Sequence, residues 1–288
     1  VPEIRETEPS DLDRVFDLLD ARSRAAFGIS EVTRARLQKQ WAVPGPDSWV
    51  AAEDGEIVGY AELDAAQDVV HAALDPAVGD ALLARVKERA RERGFGHVAC
   101  TAVPEDVPLH ELMQRSGFVL DREVWRMWRP LDGDLPAPNW VGGVSVRTYE
   151  DSDAVALHAL LDDSYAGWDR DYVARPHDDW LAFMTEHDEF DPGLWFLVER
   201  DGELVACALH WQESHGDGWV KDIVVREGER GHGLGTALLH HGFRAYAERG
   251  AQRVGLKVDS SNPTGALRLY AHAGFTTDRR YGIWMKRL

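Results

Sequence analysis

The stretch from Trp219 to Leu239 holds the residues best suited to chemistry. An apolar run, Trp219-Val220-Lys221-Asp222-Ile223-Val224-Val225, reads as a strand. It leads through Arg226-Glu227-Gly228-Glu229 into Arg230-Gly231-His232-Gly233-Leu234-Gly235, and a helical pattern opens at Thr236-Ala237-Leu238-Leu239. A helix start offers unpaired backbone N–H groups and the positive end of the helix dipole. Glycines at 231, 233 and 235 have no Cβ, so a phosphate group can approach the backbone there. Arg226 and Arg230 add positive charge. The spacing Arg-x-x-Gly-x-Gly between a strand and a helix therefore suits a pyrophosphate. A dinucleotide fingerprint would need G-x-G-x-x-G with an acidic residue about 20 positions on. A triphosphate loop would need Gly-Lys-Ser/Thr. Neither is present.

The rest of the chain makes this local basicity more telling. Its 288 residues carry 32 Lys and Arg against 50 Asp and Glu, a net charge of −18. A field of that sign repels nucleic-acid backbones and anionic membrane surfaces, so neither is expected as a partner. The composition is 44% hydrophobic and 28% charged, enough apolar side chain to bury a core and too much for a disordered chain. No run approaches the roughly 18 apolar residues of a spanning helix. The N-terminal Val1-Pro2-Glu3-Ile4-Arg5-Glu6 has no apolar signal core, so a cytoplasmic protein is expected. The 2 cysteines, Cys100 and Cys207, sit in apolar stretches and read as buried thiols. The 11 tryptophans serve as core fillers or line a pocket.

The elements that must position the glycine turn occur twice. Ile4-Arg5-Glu6 and Val144-Ser145-Val146-Arg147 each read as a short strand before an acidic helix start. Ser48 to Ala61 and Leu194 to Ala208 each read as a hairpin around an Asp-Gly turn, at Asp54-Gly55 and Asp201-Gly202. Each half then has an amphipathic helix ending in Glu-Arg-Gly, at 92–94 and 248–250, followed by a strand, a helix and a Gly-Phe pair, Gly117-Phe118 and Gly274-Phe275. This predicts a tandem mixed α/β fold. Residues 1–131 form the first copy, 132–143 a Pro- and Gly-rich linker, and 144–288 the second copy.

With these motifs the chain resembles the GNAT superfamily of N-acetyltransferases, in a tandem arrangement. Arg230 to Gly235, then Asn262-Pro263-Thr264-Gly265-Ala266-Leu267-Arg268-Leu269-Tyr270, then Ala273-Gly274-Phe275 follow its acetyl-CoA-binding core in order and spacing. The resemblance implies acetyl-CoA as cosubstrate. It implies a strand through Ile223, Val224 and Val225 that splays from its neighbour and pairs with the pantetheine arm. Arg230, Gly231, His232, Gly233, Leu234, Gly235 and Thr236 would wrap the pyrophosphate. Asn262 would contact the cofactor arm, and Tyr270 would act as general acid toward the leaving thiolate. The first copy departs from this pattern. Gly79 aligns with Gly235, Ala77 with Gly233, Leu74 with Arg230 and Met113 with Tyr270, while Asp75 and Asp80 add repelling charge. A degenerate first copy and an active second copy are expected.

The implied reaction is direct attack of a primary amine on the thioester, so the amine must lose a proton. The strand position where the family often has Glu is Trp219 here. Asp222, His210, Glu213 and His215 remain as candidates for base or substrate ligand, and a water chain is another route. Strand alternation puts Asp222 opposite Trp219, Lys221 and Ile223, which leaves a structural role open for it. The three histidines His232, His240 and His241 lack the carboxylates or thiols of a metal site, and no metal is expected. Tyr165-Ala166-Gly167-Trp168-Asp169-Arg170-Asp171-Tyr172 reads as a loop whose acids and rings suit a cationic amine. The expected function is N-acetylation of a small-molecule amine by a monomer or homodimer. A peptide N-acetyltransferase and a non-catalytic acyl-CoA-binding module are the alternatives.

Overall fold

The computed structural model describes the chain except for residues 1, 29, 31, 42–46, 65–68, 74–77, 169–171, 187–188 and 213–215. Contacts divide it into two compact units, Val1–Val124 with Arg280–Leu288, and Trp125–Arg279. Both are mixed α/β.

The first unit runs β1 (Glu3–Glu6), α1 (Leu12–Phe27), α2 (Arg34–Trp41), β2 (Asp47–Glu53), β3 (Glu56–Asp64), β4 (Val69–Ala73), α3 (Gly79–Glu92), β5 (His97–Ala102), α4 (Val107–Arg115) and the start of β6 (Val119–Pro130). Strands β1 to β4 pair antiparallel in order, and β4 pairs β5 in parallel. The chain's last residues complete this sheet, with Gly282–Arg287 lying antiparallel to β5. Trp284 sits in the same core as Leu82, Leu83, Leu112 and Met113.

The second unit takes the end of β6 and continues with β7 (Ser145–Thr148), α5 (Ala154–Ala166), α6 (His177–Thr185), β8 (Phe190–Arg200), β9 (Glu203–Gln212), β10 (Gly218–Val225), α7 (Leu234–Glu248), β11 (Arg253–Asp259), α8 (Ala266–His272) and the start of β12 (Thr276–Arg287). Strands β7 to β10 are antiparallel neighbours, β10 pairs β11 in parallel, and β6 lies beyond β11. Two cores cover the two faces of the sheet. Leu234, Leu238, Leu239 and Phe243 of α7 pack over Leu194, Phe196, Val220 and Leu256. Leu157, Leu160 and Leu161 of α5, with Trp180 and Met184 of α6, pack over Trp195, Leu197, Leu209 and Val224.

The repeat seen in the sequence is repeated in atomic detail. In each unit an arginine of the first strand forks onto an aspartate at the following helical turn. Arg5 meets Asp11 at 2.6 and 2.8 Å, and Arg147 meets Asp153 at 2.6 and 2.7 Å. Each aspartate also accepts a backbone N–H three residues back, from Glu8 or Glu150, in a capping box. The two Asp-Gly turns have matching left-handed backbones, φ 51° and 84° at Asp54-Gly55 and 52° and 81° at Asp201-Gly202. That is the twist a two-residue hairpin requires.

Candidate active site

The site is organised by a single irregularity in β10. Its pairing with β9 shifts between Val220 and Asp222, so Lys221 is an extra residue in the ladder. A bulge of this kind reverses the alternation of side chains beyond it. Val220 faces the α7 core, whereas Val224, an even number of residues on, faces the α5–α6 core. This corrects the simple alternation argument. Asp222 is opposite Ile223, but it shares the α5 face with Trp219 and Lys221. Trp219 lies against Trp128 at 5.6 Å between ring centroids, over the hydrogen-only face of Gly255. Lys221 Nζ lies 5.4 Å from the Trp211 ring.

Next to the bulge the two parallel strands part. β10 and β11 are in register only from Gly218–Val254 to Val220–Leu256, although both strands run on to Val225 and Asp259. The β11-facing edge of β10 is therefore without a strand partner from Lys221 onward, and an extended arm can pair there. Tyr246 of α7 fixes where the split begins. Its hydroxyl accepts the Trp219 N–H at 3.0 Å and lies within hydrogen-bonding distance of the Trp211 and Trp219 carbonyls. Its ring fills the space that a Cβ on Gly218 would need. The sequence reading missed Tyr246. It stands in the apolar stripe of α7 and looks like one more core residue.

At the open end of the split lies the start of α7. Its cap residue, Gly233, has φ +87° and no side-chain capping bond, and the first turn carries no acidic residue. Gly231 also has positive φ, +81°, and a Cβ on either glycine would meet nothing within 4 Å. The backbone here thus borders open space, with helix N–H groups available to an anion. Gly231, His232 and Gly233 are exposed, whereas the Leu234 side chain is buried, so Leu234 offers only its backbone. Thr236 is half-buried in the first turn. Arg230 is partly committed, since its Nε donates to the Val225 carbonyl at 2.9 Å, leaving the two Nη groups for a ligand. Arg226 is not part of this cluster. It pairs with Glu203 at 2.8 Å and donates to the Leu204 carbonyl.

Gly235 also serves the packing of the fold. A Cβ there would stand 3.1 Å from Leu269 of α8, so the bare backbone lets α7 pack against α8. The first unit repeats the contact, and a Cβ on Gly79 would stand 2.3 Å from Leu112. Packing explains why this glycine occurs in both copies.

α8 carries Tyr270, which is buried and lies 5.8 Å from the Phe275 ring. Burial, and then the negative charge of Asp222, push its phenol well above the usual tyrosine range. In the first unit Met113 takes the equivalent place. Phe118 N–H bonds back to the Met113 carbonyl at 2.9 Å, as Phe275 N–H does to Tyr270 at 3.0 Å. Asn262 opens the turn before α8. Its Oδ1 accepts from the Thr264 N–H at 2.9 Å and from the Thr264 hydroxyl, which leaves its Nδ2 amide for a ligand.

Asp222 is 7% exposed. Its Oδ1 accepts a short hydrogen bond from the Tyr165 hydroxyl, and its Oδ2 lies 3.4 Å from Lys221 Nζ. Tyr165 belongs to the last turn of α5, so the expected loop begins only after Ala166. Of the other proton-acceptor candidates, Glu213 and His215 lie outside the described residues, as do 169–171 of the aromatic loop and Leu74, Asp75 and Ala77 of the first copy. Among the described residues no group of three His, Cys, Asp or Glu side chains is placed to hold a metal.

His210 is removed from the reacting region. It is wholly buried between Phe196 and Tyr246, in the notch left by Gly242, and neither ring nitrogen has a hydrogen-bond partner. Burial, with a smaller contribution from His241, lowers its pKa to about 3. An unfolded histidine titrates near 6.5. Between these values the unfolded chain holds the extra proton, so stability is complete above about pH 6.5 and is lost as the pH falls toward 3. At pH 5 the loss is about 2 kcal/mol. His210→Leu is expected to remove that part of the acid sensitivity. The midpoint of thermal unfolding, followed at pH 7.5 and pH 5, should drop less in the variant than in the wild type.

A model of the acetyltransferase (GNAT) family matches residues 12–118 and 154–275, one match in each half. The chain belongs to the GNAT family. It is an N-acetyltransferase with acetyl-CoA as donor. The chain is 32% identical to a mycothiol acetyltransferase of Streptomyces coelicolor, over 95% of its length and 91% of the relative's. It is 36% identical to a protein of the same name from Thermomonospora curvata, over 82% and 80%. Among solved structures, a GCN5-related N-acetyltransferase from Sphaerobacter thermophilus matches with a TM-score of 0.83 at 26% identity, covering 99% of this chain and 95% of that one. A tandem GNAT protein from the clavulanic acid biosynthesis pathway has the same fold, with a TM-score of 0.71 at 18% identity over 100% and 98%. Among the described residues no helix is long and apolar enough to cross a membrane.

Proposed function

We propose that the second copy, residues 144–288, is the catalytic one and acetylates a primary amine of a small molecule, while the first copy, residues 1–131, joined through 132–143, is degenerate. The observation that carries this reading is the contrast at one equivalent place. The Gly79–Leu112 and Gly235–Leu269 contacts bring the two copies into correspondence, and there one presents the Tyr270 phenol and the other the Met113 thioether. The helix starts differ as well. That of α7 is free of acidic residues, whereas α3 has Asp80 in its first turn, held by Arg115 and Ser116 at 3.0 Å.

The residues of the second copy fit acetyl-CoA. The free edge of Lys221 to Val225 suits the pantetheine amides, with Ile223 and Val225 facing the α7 side. The backbone from Gly231 to Thr236, with the Arg230 Nη groups, suits the pyrophosphate, and Asn262 Nδ2 is a further donor. The donor supplies an acyl group activated as a thioester. Tyr270 keeps its proton throughout the neutral range, so its hydroxyl is available to the sulfur that leaves. Asp222, with its carboxylate aimed by Tyr165 and flanked by Lys221, takes the acceptor's ammonium group or its proton. The mycothiol acetyltransferases among the relatives support a small-molecule acceptor.

Calorimetric titration of the full chain with acetyl-CoA, followed by thiol release with a panel of free amines and peptides, tests the proposal. One site per chain and turnover with free amines are expected. Two sites would make the first copy functional, turnover confined to peptides would overturn the acceptor class, and binding without thiol release from any acceptor would mark a binding module.

A further inference from the structure

Asp222 is useful to an acceptor amine only if its carboxylate is held in one orientation, and the groups around it show what holds it. Lys221 Nζ, at 3.4 Å from Oδ2, makes an ion pair that is long for a hydrogen bond, and it comes from an adjacent residue on the same strand. The firm contact is from α5, where the Tyr165 hydroxyl donates to Oδ1. Tyr165 is itself immobilised. Its ring stacks on Tyr172 at 5.4 Å with planes 20° apart, and Trp168 lies 6.2 Å away. The Tyr172 hydroxyl in turn donates to Asp162 Oδ1, one helical turn before Tyr165 on α5. His158 Nε2 lies 3.4 Å from the other Asp162 oxygen, and the His158 ring stacks on Trp180 of α6 at 4.6 Å. The two tyrosines thus form a clasp, each ending on a different carboxylate.

We propose that Tyr165 is a positioning residue of the acetyl transfer. From α5 it fixes one oxygen of Asp222 so that the other meets the acceptor amine. The inference rests on the reading of Asp222 as the group that receives the amine. It adds that this function is built across the α5–β10 contact rather than on β10 alone, where the family-like strand position is Trp219. Among the described residues, the titratable groups in contact with Asp222 or within reach of its charge are Tyr165 on α5, Tyr172, Cys207 on β9, Tyr270 on α8 and Lys221. The phenols and the thiol are all driven upward, partly by the Asp222 charge, and stay neutral near pH 7. The carboxylate is therefore oriented by a neutral donor, and losing the Tyr165 hydroxyl releases the oxygen it holds.

Steady-state kinetics of the full chain, with the amine and acetyl-CoA varied separately, test this. In Tyr165→Phe the ring and the stack remain but the hydroxyl is lost. At pH 7 kcat/KM for the amine is expected to fall by roughly ten-fold, through kcat and the KM for the amine. Affinity for acetyl-CoA should stay within two-fold of the wild type. Asp222→Asn should lose at least as much, and adding Tyr165→Phe to it should cost little more. Tyr172→Phe, which loses the bond to Asp162 and keeps the stack, should leave kcat/KM for the amine within two-fold of the wild type. An unchanged kcat/KM for the amine in Tyr165→Phe, an equal loss in Tyr172→Phe, or fully additive losses in the Tyr165→Phe, Asp222→Asn double variant would overturn the positioning role. Full activity of Asp222→Asn would instead overturn the assignment of Asp222. Absence of transfer by the wild type to every amine would overturn the proposed function and this inference with it.

Discussion

Tyr270→Phe is expected to lower kcat by about 10²-fold or more while leaving acetyl-CoA affinity unchanged. General-acid assistance is typically worth about 10²–10⁴-fold, and here a single oxygen would supply it. The substitution is conservative in every other respect. The ring remains against Phe275, the α8 turn remains closed by the Phe275 N–H bond to the residue 270 carbonyl, and no buried charge is created. The direction of the pKa shift sharpens the test. Burial and the Asp222 charge raise the Tyr270 pKa above its ordinary value of 10, so the wild type should show no loss of kcat from phenol ionisation up to about that pH. A purely packing tyrosine would give a lower melting temperature and unchanged turnover. A proton donor gives the reverse. Equal turnover in the variant would remove Tyr270 from the mechanism, and the correspondence with Met113 would then no longer distinguish the copies.

Much of this arrangement is legible in the sequence because it depends on local chemistry. The Asp-Gly turns, the glycine-rich turn before α7 and the Gly-Phe ends of α4 and α8 all follow from conformations that only certain residues adopt cheaply. The family likeness extended the candidate site from those landmarks to Asn262 and Tyr270. What escaped depends on pairing between distant segments. The bulge at Lys221 leaves no mark on hydropathy, because burial along β10 still alternates from Gly218 to Val225 while the faces exchange. Only the partner strand reveals that Asp222 has turned toward α5. The ends of β6 and β12 pose the same difficulty. Each is an amphipathic strand able to complete a sheet, and nothing local indicates that Gly282–Arg287 pairs with β5 of the first unit. Gly235 was read for its spacing alone, and its lack of a side chain also answers to Leu269, a residue on another helix. His210 and Asp222 were both plausible bases from sequence. Packing separates them, since one is sealed beneath α7 without a partner and the other is oriented at the strand split.

Gly233→Asp is expected to abolish detectable acetyl-CoA binding while the protein stays folded. The left-handed backbone at φ +87° costs an L-residue about 1–2 kcal/mol. Aspartate is among the side chains that tolerate that region best. No atom stands within 4 Å of the new Cβ, so no clash adds to the strain. In a chain of this size a loss of about 1 kcal/mol lowers the melting temperature by only about 2–4 °C. The effect on the ligand is much larger. The carboxylate would occupy the start of α7, where the helix N–H groups and Arg230 now favour an anion, and it would face a pyrophosphate. Two like charges about 4 Å apart near a protein surface repel by roughly 4 kcal/mol, a factor near 10³ in affinity at low salt. Gly233→Ala separates the causes, because it carries the backbone strain without the charge. It should melt at least as low as the aspartate variant and yet retain most of its binding. Titration calorimetry with thermal unfolding of both variants reads the two effects apart. Retained binding in Gly233→Asp would place the phosphates away from α7. Equal loss in both variants would mean that the loop's shape, not its charge, selects the ligand.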